Sequence, residues 1–304
     1  MNTRIANLIS ALTRRSQILI MTVLATGVAL GIVTLAVPSY ATQVQITPKN
    51  PQLGDTLSIV VQADAAASAP TVTVAQKIYP MFAIGSGNAD RSTYRALVPT
   101  TPLNRPGTLP IQVNSGQIQN LSVTLKPRSF PTQRIWLPPG KDSDISDAEY
   151  NRVSAFKKVV SPEKLWRGPF LRPNKGEITS VYGVRRYYNG VFAKDYYHRG
   201  VDYGGGTGSP VIAPAAGRVA LVGRESQGFL INGNIIGIDH GQGVTSAYLH
   251  LSRIDVREGD FVKPGQVIGA VGATGAVTGP HLHWGLYVSG LSVDPAPWRN
   301  KGIE

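Results

Sequence analysis

Short runs in which apolar and polar residues alternate recur along the chain from residue 43 onward, and each is bounded by proline, glycine or asparagine. A period of two places successive side chains on opposite faces of a β-strand, whereas a surface helix repeats about every 3.6 residues. The chain also contains 33 glycines and 22 prolines, which interrupt long helices and favour turns. The sequence therefore predicts a mostly β protein.

Residues 43–128 make up the first predicted domain. Its alternating runs include residues 44–47, 57–61, 71–74 and 121–125. Many short strands separated by turn residues are typical of an antiparallel, immunoglobulin-like (Ig-like) β-sandwich. Because no histidine falls in this stretch, we expect an accessory domain with a structural or positioning role.

Residues 129–170 are predicted to connect this domain to a second one. A turn-rich break at residues 138–142 (PPGKD) precedes Ser146, and Glu149 follows three residues later. A serine with a glutamate at this spacing is the pattern of a helix N-cap. We therefore expect a short helix that runs to about Val159.

Residues 171–304 form the second predicted domain. Glycine turns and short strands return here, for example at residues 178–182, 217–222 and 281–288. All five histidines of the chain lie in this domain. We expect an antiparallel β domain that carries the chemistry of the protein.

Residues 1–41 have the features of an export segment. An uncharged apolar run at residues 18–37 follows the pair Arg14-Arg15, and small residues stand at positions −3 and −1 of a cut after Ala41. These features favour a cleaved signal peptide, although the run is also long enough to stay in a bilayer as an uncleaved anchor. In both cases the arginines stay inside and the rest is exported to the periplasm, the cell envelope or the outside of the cell. Contact with a membrane is expected only if the segment is uncleaved.

The composition limits the kinds of site that the chain can build. It has no cysteine, which excludes thiolate metal sites, cysteine nucleophiles and disulfides. Any metal must therefore be held by nitrogen and oxygen atoms. The formal net charge of +12 suits nucleic acid, an acidic membrane surface or an anionic cell wall, and charge alone does not choose among them.

Three histidine motifs stand out in the second domain. His198 and Asp202 are four residues apart, before a run of three glycines that favours a loop over a helix. His281 and His283 are two apart in an apolar run, so in a strand both imidazoles point to one face. His250 follows Tyr248 at the same spacing, and we expect these two side chains to share a face as well.

The remaining histidine and several acids are expected to be structural. His240 lies in a glycine-rich turn sequence, and Asp255, Asp260 and Asp294 stand in turn contexts beside glycine or proline or between short strands.

Together these motifs resemble the lysostaphin-type (LytM-like) zinc endopeptidases, which cut peptide bonds in bacterial peptidoglycan. The resemblance covers about residues 165–298. The matching motifs, in chain order, are residues 179–185 (TSVYGVR), 198–202 (HRGVD), 208–211 (GSPV), 239–243 (DHGQG), 248–251 (YLHL), 265–269 (GQVIG) and 278–283 (TGPHLH).

The resemblance implies a duplicated hybrid motif fold for the second domain and a Zn²⁺ ion held by His198, Asp202 and His283. It also implies that His250 and His281 are catalytic. Three protein ligands leave zinc one position for a water molecule, whose pKa the metal lowers toward 7. The two other histidines can then take the proton of that water and stabilise the oxyanion.

The resemblance further implies that the partners are peptide stems or crosslinks of peptidoglycan and not nucleic acid. It implies a tyrosine that assists the oxyanion, for which Tyr188, Tyr196 and Tyr197 are the alternatives. The Ig-like segment is similar to the accessory domain of some exported members.

Three other functions share part of this pattern. A catalytically silent, wall-binding regulator of other hydrolases has the same fold, but such members have typically lost ligands or the second histidine pair, and all five positions are filled here. Residues 259–269 resemble a lipoyl- or biotinyl-type carrier domain. Such a carrier needs a lysine to modify on an exposed hairpin, and residues 272–275 contain none. A general zincin protease needs H-E-x-x-H, which is absent from the sequence.

Overall fold

The computed structural model describes residues 42–64, 68–86, 91–138 and 145–303. The predicted export segment, residues 1–41, lies outside the described residues. Within them, no helix is both long enough and apolar enough to cross a membrane.

The first domain consists of two four-stranded sheets in which every pairing is antiparallel. Their inward side chains form one buried cluster that includes Ile59, Val72 and Ile111. The alternating runs predicted from the sequence all lie in these strands, because only one face of each sheet meets the core. The strands are β1 (Gln43–Thr47), β2 (Thr56–Asp64), β3 (Thr71–Val74), β4 (Lys77–Tyr79), β5 (Phe82–Ser86), β6 (Arg91–Pro99), β7 (Gly107–Asn114) and β8 (Ile118–Leu125). The sheet orders are β1-β2-β6-β5 and β4-β3-β7-β8.

The segment between the domains contains a strand and a helix. Strand β9 (Thr132–Ile135) pairs in parallel with β11 (Arg185–Tyr188) of the second domain. Helix α1 (Asp147–Lys157) begins after Ser146, whose side-chain oxygen accepts the N–H of Glu149. The buried side chains of α1 pack on the second domain. Both elements therefore pack on the second domain.

The second domain is built on an antiparallel sheet of eight strands, two smaller sheets and a short C-terminal helix. The main sheet has the order β10-β13-β21-β17-β16-β15-β19, with β22 also paired to β21. Its elements, beyond β11, are β10 (Glu177–Ser180), β12 (Val191–Phe192), β13 (Val201–Gly204), β14 (Pro210–Ile212), β15 (Gly217–Gly223), β16 (Ile235–Gly241), β17 (Val244–Leu249), β18 (Leu251–Ile254), β19 (Phe261–Val262), β20 (Val267–Val271), β21 (His281–Val288), β22 (Leu291–Val293) and α2 (Pro295–Asn300). The mostly β prediction is confirmed.

Strand β21 lies in the middle of this sheet and is buried almost along its whole length. On one face, Leu282, Trp284 and Leu286 join the main hydrophobic cluster of the domain. The alternation of a strand then turns His281 and His283 toward the opposite face. The face that carries His281 and His283 is thus backed by a packed core, which holds these two side chains in place.

A polar and aromatic interface joins the two domains. Arg95 of β6 is almost completely buried, and its guanidinium donates to Oε1 of Gln242 at 2.5 Å. The indole N–H of Trp298 donates to Oγ1 of Thr56 at 3.2 Å. A buried charged group is tolerated only where such partners replace water. The first domain is therefore packed firmly against the second.

Candidate metal centre and cleft

Three of the predicted residues meet at one point. Nε2 of His198 lies 2.9 Å from Oδ1 of Asp202 and 3.0 Å from Nδ1 of His283. Nδ1 of His283 lies 2.9 Å from the same Oδ1 atom. All three side chains are buried. Two nitrogens and one oxygen thus face a common centre.

The sheet fixes two of these three groups. Asp202 on β13 and His283 on β21 are register partners in adjacent antiparallel strands, so their side chains stand on one face. His198 lies in the loop before β13, as the glycine-rich sequence predicts, and two backbone bonds tie it to the segment of residues 183–184.

Gly200 makes the turn between His198 and Asp202 possible. A Cβ atom at this position would lie 2.3 Å from the carbonyl oxygen of Trp284 and 2.8 Å from Nε2 of His283. Both distances are shorter than a side chain tolerates, so only glycine fits against β21 here. The third residue of the H-R-G-V-D motif is therefore a requirement of the site.

The electrostatics favour an ionised carboxylate at the centre. Burial alone would raise the pKa of Asp202, but the charges and hydrogen bonds of His198 and His283 outweigh it and hold that pKa well below its ordinary value. Burial also lowers the pKa of His283 to about 4. Near pH 7 the site therefore presents an anionic oxygen beside a neutral imidazole of His283.

Arg186, which no sequence motif marks, contacts the other oxygen of Asp202. Its guanidinium donates to Oδ2 of Asp202 at 3.2 Å, to Oγ of Ser180 at 3.3 Å, to Oε1 of Gln133 at 3.2 Å and to the hydroxyl of Tyr188 at 3.2 Å. The side chain is buried. Because Oδ2 is engaged, Oδ1 is left to the centre. Gln133 comes from β9, in the segment between the domains.

His250 and His281 lie beside the three buried groups. Their ring centroids are 4.9 Å apart, and the His250 ring is 6.3 Å from that of His283. Nδ1 of His250 donates to the carbonyl of Thr274 at 2.9 Å, and Nδ1 of His281 donates to that of Gly279 at 2.9 Å. In a neutral ring this leaves Nε2 free to accept a proton. Burial, and then the neighbouring imidazoles, hold the pKa of His250 well below its ordinary value.

The predicted shared face of Tyr248 and His250 is wrong. Strand β17 ends at Leu249, and His250 has a φ of 65°, in the left-handed region that non-glycine residues rarely adopt. This reversal sends the His250 ring into the cleft, while Tyr248 stays in the core and its hydroxyl contacts Oγ of Ser246 at 2.7 Å. Strain of this kind is commonly found at functional sites.

Glu149 supports the loop beside His250, a role that the sequence analysis did not predict. Its carboxylate is completely buried and accepts the backbone N–H groups of Leu230, Ile231 and Asn232 at 2.7–3.1 Å, together with the side-chain amide of Asn232 at 2.6 Å. The carbonyl of Asn232 in turn accepts the N–H of His250 at 3.1 Å. A single carboxylate on α1 thus holds the backbone next to this histidine.

The structure separates the three tyrosine alternatives. Tyr197 is buried, and its hydroxyl bonds to Ser292 in the core. Tyr188 and Tyr196 both line the cleft, with ring centroids 5.9 Å apart. Of the three, Tyr188 and Tyr196 thus face the cleft.

His240 and the turn acids have the structural positions expected of them. Both ring nitrogens of His240 are engaged inside the domain, with the carbonyl of Ala216 at 2.8 Å and Oγ of Ser246 at 2.7 Å. Burial lowers its pKa to about 4. Asp294 caps α2 and pairs with Arg128 at 2.7 Å, while Asp255 and Asp260 bond within their own turns.

Four of the five residues, Asp202, His250, His281 and His283, line a cleft of about 780 Å³, and His198 lies buried behind them. The walls of the cleft come from β9, from α1, from Tyr188 at the end of β11, from Tyr196 and from the loop of residues 276–280. Asp202 is the one acid among the described residues that line it.

Residues 196–295 match peptidase family M23. The chain contains an M23 domain. The match begins just before His198 and extends beyond His283, so all five predicted site residues lie inside it.

The M23 domain has relatives that are named as peptidases, and one of them is named as a peptidoglycan endopeptidase. The chain is 43% identical over 167 residues to peptidoglycan DD-endopeptidase ShyC of Vibrio cholerae, across 51% of this chain and 37% of that protein. It is 44% identical over 118 residues to DD-carboxypeptidase/endopeptidase Mpg of Neisseria meningitidis, across 39% and 26%. Lysostaphin of Staphylococcus simulans is 38% identical over 122 residues, across 38% and 24%. The chain thus spans well under half the length of these relatives.

A solved structure extends the likeness beyond the M23 domain. The crystal structure of a candidate peptidase M23 from Pseudomonas aeruginosa is 26% identical, with a TM-score of 0.59. The aligned region covers 84% of this chain and 96% of the Pseudomonas aeruginosa chain. Because residues 196–295 are about a third of the chain, this similarity includes much of the structure that precedes the M23 domain.

Proposed function

We propose that the protein is a zinc-dependent metalloendopeptidase that hydrolyses peptide bonds in bacterial peptidoglycan. The observation that carries the proposal is the convergence of His198, Asp202 and His283 within 3.0 Å of one another, with His250 and His281 beside them in one cleft. The names of the relatives, which include a peptidoglycan DD-endopeptidase and lysostaphin, supply the substrate class.

The donor set fits a zinc ion. Nδ1 of His198 lies 2.7 Å from the carbonyl oxygen of Val181, which can only accept, so in the neutral ring Nε2 carries no proton. That nitrogen and the ionised Oδ1 of Asp202 are then two acceptors only 2.9 Å apart. A cation between them satisfies both, and two imidazoles with one carboxylate are a known zinc ligand set that leaves a position open.

His250 and His281 are proposed to move protons. When bound, zinc would polarise the scissile carbonyl and make a water molecule acidic near neutral pH. His250 is held neutral by its surroundings, and its Nε2 is free to accept a proton. An imidazole that has taken up this proton becomes a donor to the developing oxyanion or to the leaving amine. Tyr188 and Tyr196 remain the alternatives for an additional donor.

The remainder of the chain is proposed to export the protein and to support the peptidase domain. With its strands labelled in order from A to G and with β4 as C′, the first domain has the sheet orders A-B-E-D and C′-C-F-G, those of an Ig-like sandwich with one added strand. We propose an Ig-like accessory domain in residues 43–128, a connecting segment in residues 129–170 and a peptidase domain in residues 171–304. We further propose export, by residues 1–41, to the periplasm, the cell envelope or the outside of the cell.

Digestion of purified peptidoglycan tests the proposal against the silent regulator. The zinc-loaded protein is incubated with isolated wall, and the released fragments are analysed by mass spectrometry. We expect new peptide termini, no release after treatment with a chelator, and recovery when zinc is returned. A protein that holds one zinc per chain and binds wall without releasing fragments would instead be the regulator.

A further inference from the structure

Two cations line the cleft near α1. Lys157, the last residue of α1, has its ammonium 4.9 Å from the ring centroid of Tyr287. Arg199, which follows His198, has its guanidinium 5.2 Å from the ring centroid of Tyr196. Both cations line the same cleft as Asp202, His250, His281 and His283. Neither is part of the candidate metal centre.

Strand β21 provides a scale for the distance between these cations and the centre. Tyr287 and His283 are four residues apart on β21 and therefore lie on the same face, about 13 Å apart along the strand. An extended peptide covers that distance in about four residues. A peptide whose scissile bond lies at His283 can therefore reach Lys157 within a few residues.

Neither cation has a carboxylate partner in the part of the chain that the structure describes. Arg186, Arg128 and Arg253 each pair with an aspartate. In contrast, Lys157 and Arg199 contact aromatic rings but form no ion pair with a described acid. The one acid among the described lining residues, Asp202, is already engaged at the centre. The two charges therefore face the cleft without compensation.

The pKa of the Lys157 ammonium is lowered in this position to about 8, first by burial and then by the neighbouring positive charge of Arg199. An anion placed between the two groups would offset both effects, because an opposite charge stabilises the protonated form. Arginine and lysine together are suited to a carboxylate, which guanidinium binds through two parallel hydrogen bonds.

We propose that Lys157 and Arg199 form a subsite that binds a free carboxylate of the substrate peptide, a few residues from the bond that is cut. This inference rests on the proposed function, since it adds a substrate feature to the same cleft. It predicts a preference for peptides whose carboxylate is free over peptides in which that group is an amide.

The test uses a synthetic crosslinked peptide and a series in which each free carboxylate is in turn replaced by a carboxamide. Cleavage of each peptide by the zinc-loaded protein is measured as kcat/KM, and binding to the metal-free protein is measured by calorimetry. We expect one amide replacement to lower both values about tenfold or more, the effect of one charged hydrogen-bonded contact. Lys157→Gln and Arg199→Gln should reduce that ratio to near one, whereas Lys158→Gln, an exposed neighbour outside the cleft, should keep the wild-type ratio.

The inference is overturned if no single amide replacement changes binding, or if both variants keep the wild-type ratio. Its failure differs from failure of the proposed function. A protein that cuts every peptide of the series equally is an endopeptidase without this subsite. A protein that binds the carboxylate form selectively and cuts none of the peptides supports the subsite and contradicts the enzyme.

Discussion

Oδ1 of Asp202 lies 2.9 Å from Nδ1 of His283, although the two residues are 81 positions apart in the sequence. They are register partners on β13 and β21, neighbouring strands of the main sheet. The sheet therefore holds two of the three groups of the candidate metal centre, and only His198 depends on a loop. A site on paired strands keeps its geometry more closely than a site on loops.

The division of the histidines into two roles can be tested with Asp202→Ala and His281→Ala. Asp202→Ala removes an anionic donor from the centre, and we expect both zinc and activity to be lost. His281→Ala removes a proton-transfer group outside the three donors, so zinc should stay near one per chain while wall digestion falls about 100-fold or more. Metal content is measured by mass spectrometry, with Asp255→Ala as the exposed control. Equal loss of zinc in His281→Ala would mean that the two histidines of β21 have the opposite roles.

Arg186 is expected to strengthen zinc binding by orienting the carboxylate of Asp202. Arg186→Gln removes the charge that holds Oδ2 of Asp202, so the carboxylate is less well oriented. We expect zinc affinity, measured by competition with a chelator, to fall about 10- to 100-fold. Arg186→Lys keeps the charge but cannot make all four contacts, and it should give an intermediate value. An affinity equal to that of the surface control Arg253→Gln would remove Arg186 from the site.

Glu149 is expected to affect catalysis through the loop of residues 230–232. Glu149→Gln keeps the size of the side chain but replaces charge-assisted bonds with weaker ones, at a cost of about 1.5–3 kcal/mol in unfolding free energy. We expect kcat to fall about tenfold while zinc is retained, and the amide protons of the loop to exchange faster. The matched control is Asp147→Asn, an exposed acid of the same helix. Unchanged exchange in the loop of the Glu149 variant would show that the carboxylate does not hold it.

We expect the burial of His240 to make the folded protein less stable in mild acid. Its pKa is about 4 in the folded protein because of burial, against about 6.5 in an unfolded chain. Between these values the unfolded chain binds a proton that the folded protein does not, so stability falls as the pH drops from about 6.5 to 4. The expected contribution at pH 4.5 is about 2–3 kcal/mol.

The histidine contribution is isolated by comparing the wild type with His240→Asn in urea unfolding at pH 6.5 and pH 4.5. The asparagine can still donate to the carbonyl of Ala216 but does not titrate. We expect the wild type to lose more stability than the variant over this interval. Parallel losses in the two proteins would assign the acid sensitivity to other groups.

Much of the architecture follows from local sequence patterns. Alternating runs such as residues 71–74 predict strands, because a period of two separates a core face from a solvent face. The Ser146 cap predicts the start of α1, since its side chain satisfies a backbone N–H that the helix leaves free. The same period places His281 and His283 on one face. These inferences need only neighbouring residues.

The tertiary structure decided the rest. The sequence pattern does not encode which strands pair or in what register, and it is this pairing that brings Asp202 to His283. The sequence places Glu149 beside Ser146 in a helix start, but the carboxylate bonds to a loop some 80 residues away. Likewise, Arg186 is one arginine in a polar run until the fold buries it against Asp202 and Gln133. Local periodicity determines which face of a strand or helix a side chain lies on. Long-range packing determines which groups that side chain contacts and, through them, its protonation state.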